Sequence, residues 1–289
     1  MSKQIDYYFL NNEEVSCRDI NHKLFSSALF YGTGCFETMR FENKQICRYD
    51  NHINRLHRGL DYLELPAHLI PKKEYLRERI QEKLDLNGFN DKPAKIRVQC
   101  SLLEQNGYRL DSDVELLTHI RISSIEYVDK SLRLLTAKTR VIPSECRPSD
   151  LKLSNMLHYR TAFREAAKKK YDDALILTID GNIAETSVAN IFWAIDNNVY
   201  TPSKECSILP GIMRKETIEA IKENEKLKVE EGIYNRDSIL NADLVWISNS
   251  VIEFQPVFSI DEVKLNCNKA MMNEIITSIQ YYKRSNSKE

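Results

Sequence analysis

Two residues of this chain have the type and setting from which chemistry would follow, Lys152 and Glu185. Glu185 lies in the run D-G-N-I-A-E-T-S-V-A-N-I-F over residues 180–192, where Asp180-Gly181 is the signal of a two-residue hairpin. The strand leaving that turn carries one carboxylate beside the apolar pair Ile183-Ala184. Burying such a group unpaired is costly, so it needs a partner. Upstream, Lys152 stands between Leu151 and Leu153, which desolvate an inward-facing amine and keep it usable near neutral pH. Most lysines are solvated surface groups titrating near ~10.4, so the weight of Lys152 comes from its context. A lysine that forms a Schiff base and an acid that keeps a ring nitrogen protonated are what pyridoxal phosphate (PLP) requires to act as an electron sink.

A phosphate anchor is the next requirement. Gly211-Ile212-Met213-Arg214 follows Pro210 and opens a helical pattern over residues 212–223, whose first amides point outward and favour an anion. The same residues also suit an ordinary turn into a helix. Ile247-Ser248-Asn249-Ser250 offers hydroxyl and amide donors at the end of a buried-strand pattern. In H-I-N-R-L, Ile53 and Leu56 face a core and leave Arg55 at its edge, either facing solvent or adding positive charge to a bound dianion.

The elements that must hold these groups read as a mixed α+β chain. Strand-like runs at residues 7–10, 35–41 and 46–49 are joined by turns at Asn11-Asn12 and Glu42-Asn43. Amphipathic helices follow at 52–63 and 72–86, then strands at 94–103 and 114–125. The pattern breaks at residues 127–130, dividing a small N-terminal domain (1–126) from a larger C-terminal one (127–289). The second half reads as a strand at 132–141, a helix at 156–170 with Ala162, Phe163, Ala166 and Ala167 on one face, then strands at 174–179, 182–184, 191–195 and 245–248. Residues 283–289 read as a polar, frayed tail.

Composition narrows the class. With 41 basic and 42 acidic side chains in 289 residues, the net charge of −1 argues against nucleic acid or an anionic membrane as partner. The 7 cysteines are scattered without a C-x-x-C pair, as expected of reduced thiols rather than a disulfide framework. The N-terminus lacks the apolar core of a signal peptide, and no apolar run is long enough to span a bilayer. A cytoplasmic location is expected. No residue is assigned to a metal.

Six motifs occur in order: Y-G-T-G-C-F-E-T-M-R (31–40), H-I-N-R-L, L-K-L-S-N, A-E-T-S-V-A-N-I-F, L-P-G-I-M-R and I-S-N-S-V-I-E-F-Q-P-V. Together the chain resembles the class IV aminotransferases, the fold-type IV PLP enzymes that include branched-chain and D-amino-acid aminotransferases and aminodeoxychorismate lyases. The resemblance runs from about residue 7 to residue 258. It implies a small α/β N-terminal domain and a C-terminal pseudo-barrel with PLP held by both, in a homodimer. Lys152 would form the Schiff base and Glu185 would pair with the pyridine nitrogen. Arg55, the amides of Ile212 and Met213, and Asn249 and Ser250 would bind the phosphate, while Tyr31, Phe36 and Glu37 would line the substrate side. A catalytically idle relative would be expected to lose Lys152 or Glu185, and both are present.

The substrate is less determined. The branched-chain branch has Y-x-R on a strand where this chain has Lys95-Ile96-Arg97. The D-amino-acid branch carries an arginine and a histidine on the following loop, where this chain has Arg109 and no histidine. The lyase branch has R-G-Y against Asn106-Gly107-Tyr108-Arg109. G-C-F, L-P-G-I-M-R and Asn249 of S-N-S resemble lyases, and Asn155 resembles both lyases and D-amino-acid enzymes, whereas Glu37 replaces a threonine that some lyases carry. Arg97 and Arg109 are the candidates for gripping the substrate carboxylate. The expected activity is transamination of a small amino acid and 2-oxo acid pair, with branched-chain-like substrates among the candidates. The alternative is a lyase releasing pyruvate and 4-aminobenzoate.

Overall fold

The computed structural model describes residues 5–16, 26–104, 107–108, 114–125 and 131–286. Cys17, the loop residue Arg109 and the expected break at 127–130 lie outside the described residues. The chain divides into two compact units, 1–126 with 151–155, and 127–150 with 156–289.

The first unit contains β1 (Ile5–Leu10), β2 (Glu13–Val15), α1 (Ser27–Tyr31), β3 (Gly34–Glu42), β4 (Gln45–Ile46), α2 (Tyr49–Tyr62), α3 (Lys73–Leu86), β5 (Ala94–Leu102) and β6 (Leu116–Ser124). Its sheet runs β2-β1-β6-β5-β3-β4, antiparallel throughout. Both short hairpins use asparagine where the turn demands positive φ: Asn11 and Asn12 join β1 to β2, and Asn43 and Lys44 join β3 to β4. Met39, Ile96, Val98, Ile120 and Ile122 point from one sheet face into a core closed by Ile53, Leu56 and Leu60 of α2 and Leu76, Ile80 and Leu84 of α3. α2 starts earlier than its apolar spacing suggests, because Arg48 takes a left-handed conformation (φ 57°) and turns the chain into the helix at Tyr49.

Residues 151–155 group with this unit although the sequence division gives them to the other. β4 covers only the Phe41–Glu42 end of β3, leaving the Gly34–Phe36 end unpaired on that edge. The segment completes it: Leu153 bridges Cys35, Phe36 N–H donates to Lys152 O (2.9 Å) and Ser154 N–H to Gly34 O (2.8 Å). The approach is close enough to demand glycine. A Cβ on Gly34 would lie 2.4 Å from Cys100 O and 3.0 Å from Ser154 Oγ.

The second unit contains β7 (Leu132–Arg140), α4 (Leu157–Lys168), β8 (Asp173–Leu177), β9 (Ile183–Thr186), β10 (Asn190–Ile195), β11 (Asn198–Pro202), α5 (Ile212–Lys222), β12 (Lys228–Gly232), β13 (Leu244–Ser248), β14 (Gln255–Ile260), β15 (Val263–Lys264) and α6 (Lys269–Asn286). Its nine-stranded mixed sheet runs β12-β11-β10-β13-β14-β7-β8-β9, with β15 on β14. Strands β8, β10 and β13 are buried on nearly every residue, because core clusters form on both of their faces. The β8–β9 hairpin forms, yet not through a two-residue turn. Gly181 N–H donates back to Thr178 O, and of the turn residues only Gly181 has positive φ (85°), giving a longer turn with a register shift at Ile176/Leu177. α4 buries Ala162 and Ala166, while Phe163 and Ala167 are exposed, so its inner face is turned from the expected one. The expected frayed tail is helical through Asn286, anchored by buried Ile275 and Ile279 and by Lys283 Nζ on Glu253 (2.7 Å). Among the described residues, no helix is long and apolar enough to cross a membrane.

One charged cluster fastens sheet to helix in the first unit. Alternation along β3 turns Glu37 toward α2, where its carboxylate is wholly buried. Arg55 Nε and Nη2 donate to its two oxygens at 2.6 and 2.8 Å, and His52 Nδ1 meets it at 2.7 Å. Since a carboxylate only accepts, the His52 proton sits on Nδ1. Burial alone would raise the Glu37 pKa, but the Arg55 charge and hydrogen bonds, joined by His52, outweigh it and hold the pKa at about 2. A pKa depressed on folding stabilises the protein above the unfolded value, near 4.5, and that contribution disappears as pH falls toward about 2. Glu37→Gln removes the charge that pairs with the buried guanidinium and should cost about 3–5 kcal/mol in stability at neutral pH. Hydrogen exchange of α2 and β3 amides should accelerate accordingly, and the wild-type advantage over the variant should shrink between pH 5 and pH 2. Equal exchange at pH 7 would contradict this role.

Candidate active site

The first unit brings three of the expected residues together. Lys152 is presented from the segment that completes the β3 edge, with its amine 4.9 Å from the centre of the Phe36 ring. The Arg97 guanidinium stacks on the same ring at 3.8 Å, and its Nη2 donates to Gln99 Oε1 (2.9 Å). Antiparallel register explains the meeting: Phe36 pairs with Gln99 and Thr38 with Arg97, so all four lie on the sheet face away from α2. Burial lowers the Arg97 pKa, and the charge of Arg121, its direct partner on β6, lowers it further. A carboxylate ligand would relieve both effects. Tyr31, at the end of α1, is partly exposed and stacks on Tyr108 at 4.8 Å.

Glu37 is not a substrate-lining residue. It is one position from Phe36, so strand alternation puts it on the opposite face, in the buried cluster with His52 and Arg55. Arg55 is accordingly held by Glu37 rather than lying loose at a helix edge.

The second unit builds around Glu185. The carboxylate is buried and receives hydrogen bonds on both oxygens: Tyr159 Oη–H and Leu209 N–H (3.0 Å) reach Oε1, and Asn190 Nδ2 reaches Oε2 (3.2 Å). Tyr159 stays a donor because desolvation and the Glu185 charge raise its pKa well above the ordinary phenol value. Three donors converging on one carboxylate suit the ionised form, the form that accepts a ring N–H.

α5 supplies the second anchor. Its N-cap, Gly211, is extended and no side chain caps the first turn, which also contains no acidic residue. The amides of Ile212 and Met213 therefore begin an N-terminus suited to an anion. Arg214, the last residue of L-P-G-I-M-R, turns away to Pro202 O and Glu231, both at 2.7 Å, and locks the helix to β11 and β12. At the end of β13, Ser248 Oγ is buried with no hydrogen-bond partner among the described residues, directly across the ladder from Asn190. The Asn249 side chain closes its own turn, accepting from Val251 and Ile252 N–H at 2.9 and 3.0 Å while donating to Val188 O. Ser250 follows it in the same turn.

The groups of the second unit fit parts of PLP: an accepting carboxylate suits its ring nitrogen, and an uncapped helix start and an orphaned hydroxyl donor suit its phosphate. In the first unit, a lysine amine beside an aromatic ring suits its aldehyde. Sequence reading passed over Tyr159 and Asn190. Tyr159 lies at helical spacing from Ala162 and Ala166, on the face that packs inward, which was the available signal.

A family model described as amino-transferase class IV matches residues 34–260. The chain is 30% identical over 261 residues to the aminodeoxychorismate lyase of Bacillus subtilis (strain 168), covering 88% of this chain and 87% of that one. It is 26% identical over 280 residues to the branched-chain-amino-acid aminotransferase of Escherichia coli (strain K12), covering 91% and 88%. Its fold matches the crystal structure of the Escherichia coli branched-chain amino acid aminotransferase with a TM-score of 0.83 at 24% identity, covering 95% of this chain and 92% of that one. The chain therefore belongs to the class IV aminotransferases, PLP-dependent enzymes of fold-type IV.

Proposed function

We propose that this enzyme transfers an amino group between a small, branched-chain-like amino acid and a 2-oxo acid, acting as a cytoplasmic homodimer. The observation that carries the reading is the shared ring: the Lys152 amine and the Arg97 guanidinium both lie against Phe36. An amino acid has its carboxylate one bond from the carbon that must lose a proton, so a base and a carboxylate-binding cation belong side by side.

Bound PLP supplies an electron sink for the charge left when the substrate α-carbon is deprotonated. With PLP bound, the Lys152 amine would take the proton from the substrate α-carbon. Glu185 holds the proton on the ring nitrogen, with Tyr159, Asn190 and the Leu209 amide keeping the carboxylate oriented. The amides of Ile212 and Met213 and the Asn249-Ser250 turn would hold the phosphate, and Arg55, its guanidinium fixed by Glu37, would add positive charge to it. Arg97 orients the substrate carboxylate; Arg109 is the rival for that role.

The lyase reading has its own support in the 30% identity to the Bacillus subtilis aminodeoxychorismate lyase. Both activities would use the same lysine and the same acid, so products decide. The transaminase reading predicts conversion of 2-oxoglutarate to glutamate at the expense of a branched-chain amino acid. Release of pyruvate and 4-aminobenzoate from aminodeoxychorismate, with no oxo-acid acceptor, would replace it by the lyase reading. Glu185→Gln should keep cofactor and lower kcat by ~10²–10⁴-fold, the span of a lost acid–base contribution; near-normal turnover would assign ring protonation elsewhere. Arg97→Gln should raise KM for the amino acid about 10-fold or more, as loss of a charge-assisted hydrogen bond does. An unchanged KM there, with a raised one in Arg109→Gln, would move the carboxylate to Arg109.

A further inference from the structure

The pyridine ring of PLP is rigid and its phosphate hangs on a short arm, so ring nitrogen and phosphate must meet protein groups within a narrow range of separations. Proteins meet such a demand by fixing their two anchors to each other before the ligand arrives, which reduces the ordering required on binding. In the second unit a single side chain joins the two anchors. Asn190, the first residue of β10, is 5% exposed. Its Nδ2 donates to Glu185 Oε2 (3.2 Å) and to Leu209 O (2.8 Å), and its Oδ1 accepts from Gly211 N–H (3.2 Å). The Leu209 N–H returns to Glu185 Oε1 at 3.0 Å.

Both protons of the amide and its oxygen are thus engaged, one on the carboxylate and the others on the turn that leads into α5. Aspartate could not donate, and a shorter side chain could not reach both. The turn is shaped to the amide: a Cβ on Gly211 would lie 2.2 Å from Asn190 Oδ1. Glycine at this position is set by the asparagine, in addition to any approach by phosphate.

We propose that Asn190 is a positioning residue, a strut that holds the ring-nitrogen carboxylate and the phosphate-binding helix start at the separation PLP needs. The inference rests on the PLP reading of Glu185 and α5. What the strut contributes to the Glu185 anchor by itself is lost alike for ligands with and without a phosphate. Removing it weakens chiefly the advantage of binding both at once.

The test compares dissociation constants of the apoenzyme for PLP and for pyridoxal, which lacks the phosphate. Asn190→Ala should lower the ratio of pyridoxal to PLP dissociation constants about 10-fold, and should shift the pH dependence of the bound cofactor's visible absorbance because Glu185 loses a donor. Gly211→Ala, which drives a methyl group into Asn190 Oδ1, should lower the same ratio. The double variant should be no worse than Asn190→Ala, since the clash disappears with the amide. A ratio within twofold of wild type in Asn190→Ala, or strictly additive losses in the double variant, would overturn the strut. Reduced thermal stability with an unchanged ratio would also overturn it, leaving a merely structural role. A wild-type ratio near one would instead overturn the assignment of α5 as the phosphate site on which the strut depends.

Discussion

A carboxylate buried away from water has to be surrounded by donors, and that demand organises much of this molecule. Glu185 is met by a phenol, a side-chain amide and a backbone N–H drawn from α4, β10 and the turn before α5. Those donors come from separate parts of the chain, so satisfying the charge also joins the elements. Glu37 does the same in the first unit, where one carboxylate fastens β3 to α2 through Arg55 and His52. The two differ in the charge of these partners. Glu37 is ion-paired with Arg55, whereas the three donors named on Glu185 are neutral groups.

The lysine is placed by a different device. Backbone hydrogen bonds from Phe36 and Ser154 splice residues 152–154 onto the uncovered end of β3, and the glycine at 34 makes the approach possible. The amine is thereby positioned by the main chain of its segment rather than by a long flexible loop. The neighbouring strand register then decides which side chains share its surroundings: Phe36, Arg97 and Gln99 on one face, Glu37 on the other.

Much of this was legible in the sequence because local chemistry and tertiary structure agree. The asparagine turns at 11–12 and around Asn43, the latter one residue later than the expected Glu42-Asn43, the amphipathic spacing of α2 and α3 and the Pro-Gly entry to α5 each follow a local rule. Lys152 and Glu185 stood out because an amine between leucines and an acid beside an apolar pair both need explanation. The misreadings came where long-range partners decide. Glu37 was placed with its neighbour Phe36, although strand alternation separates adjacent residues. Asp180-Gly181 suggested the tightest hairpin, but pairing of β8 with β9 settles into a register that needs a longer turn. Spacing alone puts Phe163 on the inner face of α4 with Ala162 and Ala166, whereas in the fold Phe163 is exposed and Tyr159 has the buried partner to satisfy. The affiliation of residues 151–155 depends on an edge of β3 that only the folded sheet reveals.

The central claim is that the amine of Lys152 is the one that bonds to the cofactor. Reconstituting the protein with PLP, reducing it with borohydride and mapping the peptides by mass spectrometry tests it directly. The account predicts a pyridoxyl group on the peptide containing Lys152 and on no other lysine. A label on a different lysine, or none on protein that has taken up PLP, would contradict it.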